Sequence, residues 1–199
     1  MRQGDVRVTP AAGRSDLETA AEILDEAAVW LASRGLPGWA PGGFRTPQTV
    51  ERRALVAAFE GGELYLGWQN GSAVATVSLL SEDRLYWPQA PPDASYVHRL
   101  AVRRNAAGRG IGRAVLDWAE REALTRGRTC LRLDCVSSDE AIRTYYERAG
   151  FRHRGDVVVR GVDMSLYEKD IRPRRSGSAR RRGPASLRPT PSGRSPAAS

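Results

Sequence analysis

The stretch that decides the fold is Leu100-Ala101-Val102-Arg103-Arg104-Asn105-Ala106-Ala107-Gly108-Arg109-Gly110-Ile111-Gly112-Arg113. It begins in a β-rich run, residues 96–102, and leads into apolar residues at helical spacing from Ala114 onward. Glycines at three alternate positions let the backbone approach a ligand closely. The N–H groups at the start of a helix carry the positive end of its dipole. The stretch therefore predicts a strand, a phosphate-binding turn and a helix.

The two common nucleotide-binding motifs do not fit this turn. Its spacing, Gly108-x-Gly110-x-Gly112, does not satisfy G-x-G-x-x-G in any register, and the sole lysine of the chain is Lys169, far from the turn where a P-loop needs it. A plain helix-capping turn is the structural alternative. Three glycines with two arginines among them exceed what such a cap requires, so we favour a different phosphate-bearing ligand.

These residues resemble the acyl-coenzyme A binding motif of the GCN5-related N-acetyltransferase (GNAT) superfamily. A second resemblance lies in Ala141-Ile142-Arg143-Thr144-Tyr145-Tyr146-Glu147-Arg148-Ala149-Gly150-Phe151, which is similar to the Y-E-x-x-G-F helix and turn of that family. The two motifs stand in the family's order, and the similarity covers roughly residues 5–168. It implies acetyl-CoA as co-substrate.

The pattern of predicted elements agrees with this resemblance. Apolar periodicity and turn signals, including Asn70-Gly71 between two strands, give the order β-α-α-β-β-β-α-β-α-β-β. We predict helices beginning at Ser15 or Asp16, at Thr46-Pro47 and at Ser137 or Ser138. The superfamily has this order, which implies an α/β (α+β) fold: a mixed, mostly antiparallel sheet of about six to seven strands with about four helices.

Charge divides the chain into two parts. Eight arginines and no acidic residue follow Ile171, so the net charge of +8 belongs to the tail, and residues 1–170 carry 23 basic and 23 acidic side chains. We expect one acetyltransferase domain over 1–170 and a disordered Arg/Pro/Ser-rich tail over 171–199. The tail could contact nucleic acid or the ribosome; no aromatic residue is interleaved for base stacking, which favours a solvated end.

Composition excludes several other classes. The chain has no apolar stretch long enough to span a membrane, and its N-terminus is too polar for a signal peptide, so we expect a cytoplasmic protein. Cys130 and Cys135 flank a predicted strand and are expected to be free thiols. With only two histidines, we expect no metal site. The chain is expected to be a monomer or a homodimer.

The cofactor-binding residues follow from the resemblance. It implies that residues 100–102 pair with the pantetheine arm, that one of their N–H groups polarises the thioester carbonyl, and that the glycine turn holds the diphosphate. Two positions depart from the family: Ala107 stands where an Arg or Gln is usual, and Ser138 where many relatives have Asn. The expected cofactor-binding residues are Leu100, Ala101, Val102, Ala107, Gly108, Arg109, Gly110, Ile111, Gly112, Arg113 and Ser138.

Acyl transfer also needs a proton for the leaving thiolate. Tyr146 matches the tyrosine that acts as general acid in the family, and a phenol stays neutral at pH 7. The structural alternative is a core aromatic beside Phe151. Tyr145 lies elsewhere around the helix and is expected to be a packing residue.

The base that deprotonates the amine is less well defined by the sequence. Relatives that use a carboxylate base place it at the position of Tyr96, so this chain lacks that carboxylate. Tyr96 remains a candidate catalytic residue and shares a strand face with His98, Leu100 and Val102 by the period of two. Imidazole titrates near neutral pH, so His98 is a candidate base, with a structural histidine as the alternative. Other candidates are Asp134, Glu63 and a chain of water molecules. Cys135 lacks an identifiable activator for a nucleophilic role.

The acceptor is predicted only in outline. Trp39 and Phe44 lie in a Gly- and Pro-rich loop, where they either pin the loop to the core or line an acceptor pocket with rigid apolar area. We expect transfer of acetyl from acetyl-CoA to a primary amine of a small molecule or protein, by direct attack in a ternary complex. The alternative is a non-catalytic acyl-CoA-binding regulatory module.

Overall fold

The computed structural model describes residues 6–171, which contain seven strands and four α-helices in the predicted order. The strands are β1 (Arg7–Pro10), β2 (Leu64–Gln69), β3 (Ser72–Leu80), β4 (Ala94–Val102), β5 (Cys130–Val136), β6 (Arg152–Val159) and β7 (Val162–Asp170). The helices are α1 (Arg14–Ser33), α2 (Val50–Glu60), α3 (Ile111–Thr125) and α4 (Glu140–Arg148). A short 3₁₀ turn, Arg104–Ala106, connects β4 to the glycine turn.

All seven strands belong to one sheet, in the order β1-β2-β3-β4-β5-β7-β6. Every neighbouring pair is antiparallel except β4 and β5, which run parallel at the centre. A parallel pair requires a crossover connection. The glycine turn and α3 supply it, so the motif that decides the fold also joins the two halves of the sheet. The predicted mixed, mostly antiparallel fold is confirmed.

The helices cover both faces of the sheet with separate apolar clusters. On one face α1 and α2 bury their apolar residues, including Leu17 and Leu24 of α1, against β2 to β4. On the other face α3 packs against β3 to β5, and α4 packs against β6. The helical stripes face inward because their apolar residues recur every three to four positions.

Helices α1, α2 and α4 begin at residues other than those predicted. Gly13 precedes α1, and the carboxylate of Asp16 accepts a hydrogen bond from the Ala12 N–H at 2.9 Å rather than capping the helix itself. Thr49 caps α2 by accepting from the Arg52 N–H at 3.2 Å, so that helix starts after the turn at Thr46-Pro47. Local capping geometry, rather than the first available cap residue, set these boundaries.

An irregularity in β4 changes which of its side chains lie on the face of the sheet that packs against α3. Ser78 pairs with His98, whereas Thr76 pairs with Ala101, so β4 carries one extra residue between two partners on β3. Arg99 is in the left-handed region at φ 52°. This bulge moves Leu100 and Val102 to the α3 side of the sheet, although alternation from His98 predicts them on the other face. The predicted shared face of these residues is wrong for that reason.

The described residues cover nearly all of the predicted acetyltransferase domain. None of the helices within 6–171 has the length and apolarity needed to cross a membrane. The predicted basic tail lies outside the described residues, apart from Ile171, which is buried at the end of β7. Its proposed contact with nucleic acid or the ribosome therefore stays a prediction.

The cap of α4 gives a stability test. The Asp139 carboxylate, not Ser137 or Ser138, caps this helix by accepting from the Ile142 N–H at 3.1 Å. Replacing Asp139 by Ala should lower the free energy of unfolding by about 1 kcal/mol, because the N–H loses its partner. Asp139→Asn, which keeps a capping oxygen, should lose less than half of that in urea denaturation. Equal losses in both variants would contradict the capping role.

Candidate active site

The two central strands separate at the middle of the sheet. β4 and β5 pair from Ala94 with Cys130 to Val97 with Leu133, where the ladder ends. Beyond that point β4 continues along β3, and β5 continues along β7. The gap therefore opens between residues 98–102 and 134–136. Those backbone groups of residues 100–102 that do not bond to β3 therefore have no partner strand on the β5 side, where an extended ligand could pair with them.

The glycine turn follows the end of β4 that borders this gap and leads into α3. Gly108 and Gly110 have φ of 75° and 79°, a conformation that side chains with a Cβ adopt rarely. Gly110 is the N-cap of α3 and has no side chain to cap it, so the first N–H groups of the helix remain available to an anion. A Cβ added at Gly108 would meet no atom within 4 Å, which describes open space. The predicted phosphate cradle fits this geometry.

The charged side chains around the turn differ in how far they can contribute to binding an anion. Arg113 is exposed and pairs with Asp117 at 2.8 Å, so part of its charge is compensated within α3. Arg109 is exposed at the tip of the turn, and Ala107, at the position of the usual Arg or Gln, is half-buried. Ser138 is exposed in the turn between β5 and α4. Backbone N–H groups therefore provide most of the anion-binding potential.

The two adjacent tyrosines of α4 occupy different surroundings. Tyr146 is buried among aromatic rings, with centroids 6.0 Å from Phe151 and 6.3 Å from Tyr167. Burial raises its pKa above that of a free phenol, so Tyr146 stays protonated and is a donor rather than an acceptor of protons at neutral pH. Its ring belongs to the same apolar cluster as Cys135, on the strand that borders the gap.

Tyr145 is not only the packing residue that the sequence predicts. An added Cβ at Gly112 would lie 2.7 Å from the Tyr145 Oη and 3.8 Å from the Val102 Cγ2. The Tyr145 hydroxyl therefore sits directly against the start of α3. Gly112 lies inside a helix and needs no positive φ, so this contact explains why a glycine occupies it.

A cluster of three titratable side chains lies at the point where β4 and β5 separate. His98 Nε2 is 3.0 Å from Asp83 Oδ2, and His98 Nδ1 is 3.6 Å from Asp134 Oδ1. The other Asp83 oxygen accepts from the backbone N–H groups of Leu85 and Tyr86, both at 3.2 Å. Because these bonds hold the Asp83 carboxylate, they also fix the imidazole that contacts it.

This cluster has the ligand types of a metal site as well as those of a proton relay. One ligand atom each from Asp83, His98 and Asp134 all lie within 4.8 Å of one another. His98 lies between the two carboxylates: Nε2 bonds to Asp83 at 3.0 Å, whereas Nδ1 is 3.6 Å from Asp134, which is too long for a hydrogen bond. The arrangement matches a histidine oriented by a carboxylate more closely than a vacant coordination shell.

Burial tunes the groups of this cluster. It raises the pKa of Asp134 to about 6, against the opposing effect of His98. Burial, with the Asp134 and Asp83 carboxylates, raises the pKa of Tyr86 to about 12, and the Tyr86 ring lies 5.6 Å from His98. Such shifts concentrate at functional sites. Sequence reasoning named Asp134 as an alternative base but missed Asp83, which no local motif marks.

The surroundings of the Tyr96 hydroxyl and of the Cys135 thiol favour structural roles for both residues. The Tyr96 hydroxyl accepts a hydrogen bond from Arg132 at 3.1 Å, and Arg132 is also paired with Glu168 at 2.8 Å. Tyr96 is thus part of a buried polar network, and a catalytic role for it stays a prediction. Burial raises the pKa of Cys135 to about 12, which keeps the thiol protonated and unsuited to nucleophilic attack.

The two aromatic residues of the loop after α1, Trp39 and Phe44, have different surroundings. Phe44 is buried, and its N–H donates to the buried Asp25 carboxylate at 3.1 Å. The half-buried Trp39 packs edge-on against Phe44 with centroids 5.3 Å apart. These contacts agree with the alternative in which Phe44 pins the loop to the core, and a place in an acceptor pocket stays a prediction. Trp39 keeps a partly accessible ring.

Comparison with known proteins agrees with this geometry. Residues 24–151 match the acetyltransferase (GNAT) family. The chain belongs to the GNAT acetyltransferase family. It is 34% identical over 161 residues to the uncharacterized N-acetyltransferase YesJ of Bacillus subtilis, covering 78% of this chain and 86% of YesJ.

Solved structures of GNAT proteins share the fold. A GNAT acetyltransferase from Listeria monocytogenes superposes with a TM-score of 0.66 at 23% identity, over 83% of this chain and 94% of that one. The acetyltransferase yncA from Salmonella typhimurium, solved with its cofactor acetyl-CoA, has a TM-score of 0.61 at 16% identity, over 88% and 99% of the two chains. At these levels of sequence identity, the similarity shows a shared fold and nothing further.

The contact at Gly112 provides a double-mutant test. Gly112→Ala should destabilise the protein by about 1 to 3 kcal/mol, because the new Cβ overlaps the Tyr145 hydroxyl. In a Tyr145→Phe background the nearest atom would be the ring carbon at 3.6 Å, so the same substitution should become neutral or stabilising through helix propensity. Urea denaturation of the four proteins measures this. The same loss in both backgrounds would refute the contact.

The buried Asp134 carboxyl should lower stability at neutral pH. Its folded pKa of about 6 lies above the ordinary 3.8, so the native state binds more protons between those values and stability falls as pH rises through them. Asp134→Asn should therefore be more stable than the native chain at pH 7, by about 3 kcal/mol, and show little difference near pH 4. Denaturation at both pH values checks the sign. A stability loss at pH 7 would contradict the expectation.

Proposed function

We propose that this protein is an N-acetyltransferase that moves the acetyl group of acetyl-CoA to a primary amine by direct attack in a ternary complex. The observation that carries the proposal is the gap between β4 and β5, with the glycine turn at one end and the Asp83–His98–Asp134 cluster where the strands part. Acetyl-CoA supplies the activated thioester. The residues of the chain bind it, hold the acceptor and move two protons.

Binding would use the free backbone edge of residues 100–102 and the N–H groups of residues 108–113. An extended amide-containing arm can pair with a strand edge as another strand does. The diphosphate would lie at the start of α3, where open N–H groups and the helix dipole favour an anion. An N–H group along the same edge would polarise the thioester carbonyl as negative charge develops on its oxygen.

His98 is the proposed general base. When the imidazole is neutral and its Nε2–H donates to Asp83, Nδ1 carries the lone pair. That nitrogen would take the proton of the attacking amine, directly or through water. Asp83 acts as a positioning residue because it fixes the ring and its tautomer. Asp134, 3.6 Å from Nδ1, would stabilise the imidazolium that forms.

Tyr146 is the proposed general acid. Its buried phenol stays protonated at neutral pH and lies on the helix that borders the gap, in the same cluster as Cys135 of β5. After the carbon–sulfur bond breaks, the phenol would donate its proton to the thiolate. The phenolate left on Tyr146 is a stronger base than the thiolate, because burial raises its pKa, so it takes a proton back from solvent and the neutral phenol is restored.

The acceptor side is the face of the sheet that carries α1 and α2. His98 and Asp134 lie on that face, because their neighbours Val97, Leu133 and Cys135 point into the cluster under α3. Trp39 and Tyr86 provide partly accessible aromatic surface in the loops after α1 and β3. A small-molecule amine or a protein amine would enter there.

The test is thiol release from acetyl-CoA against a panel of amines, with three variants. His98→Gln should lower kcat by about 100-fold, and Tyr146→Phe by about 10- to 100-fold, because each loses one proton transfer. His153→Gln is the matched control, since His153 also bonds an aspartate, Asp156 at 3.0 Å, but on the exposed edge strand; its rate should not change.

The outcomes separate enzyme from binding module. Turnover of at least one amine, reduced in both active-site variants but not in the control, supports the proposal. Binding of acetyl-CoA without turnover of any amine would favour a non-catalytic acyl-CoA-binding role. Full activity in His98→Gln would overturn the assignment of the base while leaving the reaction in place.

A further inference from the structure

One buried hydroxyl beside the glycine turn has no partner. The Tyr145 Oη is among the buried side-chain oxygens that make no hydrogen bond in the described part of the chain. A buried phenol normally finds an acceptor, since leaving its hydroxyl unpaired costs stability. Phenylalanine would fill the same apolar site without that cost. The hydroxyl thus requires an explanation that packing does not give.

The location of this oxygen points to the cofactor. The Tyr145 ring packs against Tyr146 at a centroid distance of 5.4 Å, and its hydroxyl lies at the start of α3. There it lies beside Gly112 of α3, and Val102 of β4 borders the same glycine, since a Cβ added at Gly112 would lie 2.7 Å from the Tyr145 Oη and 3.8 Å from the Val102 Cγ2. Those are the two places where the diphosphate and the pantetheine arm would lie.

We propose that Tyr145 is a cofactor-binding residue whose hydroxyl donates a hydrogen bond to the diphosphate of coenzyme A. The inference rests on the proposed function, which places the diphosphate at the start of α3. It adds a side-chain donor to a turn whose other contacts come mainly from the backbone. It also offsets the loss of the usual Arg or Gln at Ala107, since the donor comes from α4 instead of the turn.

The chemistry of the phenol suits an anionic acceptor. Burial raises the pKa of Tyr145 despite the nearby Arg113, so the group is protonated at neutral pH. A hydrogen bond from a neutral O–H to a phosphate oxygen is charge-assisted and stronger than one to an amide carbonyl. Glycine at position 112 lets the ligand and the hydroxyl approach the same turn of helix.

Tyr145→Phe gives effects of opposite sign in the free and the bound protein. Without ligand its melting temperature should equal or exceed that of the native chain, because no hydrogen bond is lost and an unpaired group is removed. With coenzyme A or acetyl-CoA, calorimetry should show a Kd about 5- to 10-fold higher. Pantetheine, which lacks the diphosphate, should bind both proteins equally.

Tyr167→Phe is the matched control. Its hydroxyl donates to Glu147 at 3.1 Å and accepts from Arg143 at 3.3 Å in the same aromatic cluster. This variant should lose thermal stability and keep its affinity for coenzyme A. The pair of variants therefore separates a binding role from a structural one.

Each possible result supports or overturns the contact between the Tyr145 hydroxyl and the diphosphate. An unchanged Kd for coenzyme A in Tyr145→Phe, or an equal loss for pantetheine, would overturn the contact with the diphosphate. A lower melting temperature in the free variant would show that the hydroxyl is paired within the protein and would also overturn it. If the native chain failed to bind acetyl-CoA at all, the proposed function itself would fail, which is a different result.

Discussion

The separation of β4 from β5 is the constraint on which the rest of the structure depends. Two parallel strands that remained paired would consume the backbone groups of residues 100–102 and leave no channel between them. Each strand has another partner beyond Val97 and Leu133, since β3 holds β4 and β7 holds β5. The gap is therefore supported on both sides and does not depend on a ligand to keep it open.

The bulge at Arg99 divides the gap into two functional sides. It places Leu100 and Val102 toward α3 and α4, while His98 stays on the face of α1 and α2. In the proposed function, the cofactor and the acceptor would approach the same point from opposite faces of one sheet. The strained backbone at Arg99, with φ of 52°, and the buried Asp134 carboxyl are costs to stability that fit a site under functional constraint.

Sequence reasoning predicted the order of elements because the signals for it are local. Apolar periodicity, the Asn70-Gly71 turn and the glycine motif each act within a few residues, and the structure contains every predicted strand and helix. The Arg99 bulge has no such signal, because a non-glycine residue gives no hint of a positive φ. That single residue reversed the predicted faces of Leu100 and Val102.

The parts of the site that sequence missed depend on contacts between distant residues. Asp83 meets His98 across a loop, and Tyr145 meets Gly112 across two helices. The Y-E-x-x-G-F motif selects Tyr146 rather than Tyr145, but only packing shows that Tyr146 is enclosed by Phe151 and Tyr167. Phe44 was ambiguous for the same reason, since burial against α1 cannot be read from a Gly- and Pro-rich loop.

The most direct test of the central claim is amide hydrogen exchange with and without acetyl-CoA. We expect slower exchange in residues 100–102 and 108–113 when acetyl-CoA is present, because those N–H groups would bond to it, and little change in β1 and β2 at the far edge of the sheet. Protection elsewhere, with both of these segments unchanged, would show that the gap and the glycine turn do not hold the cofactor.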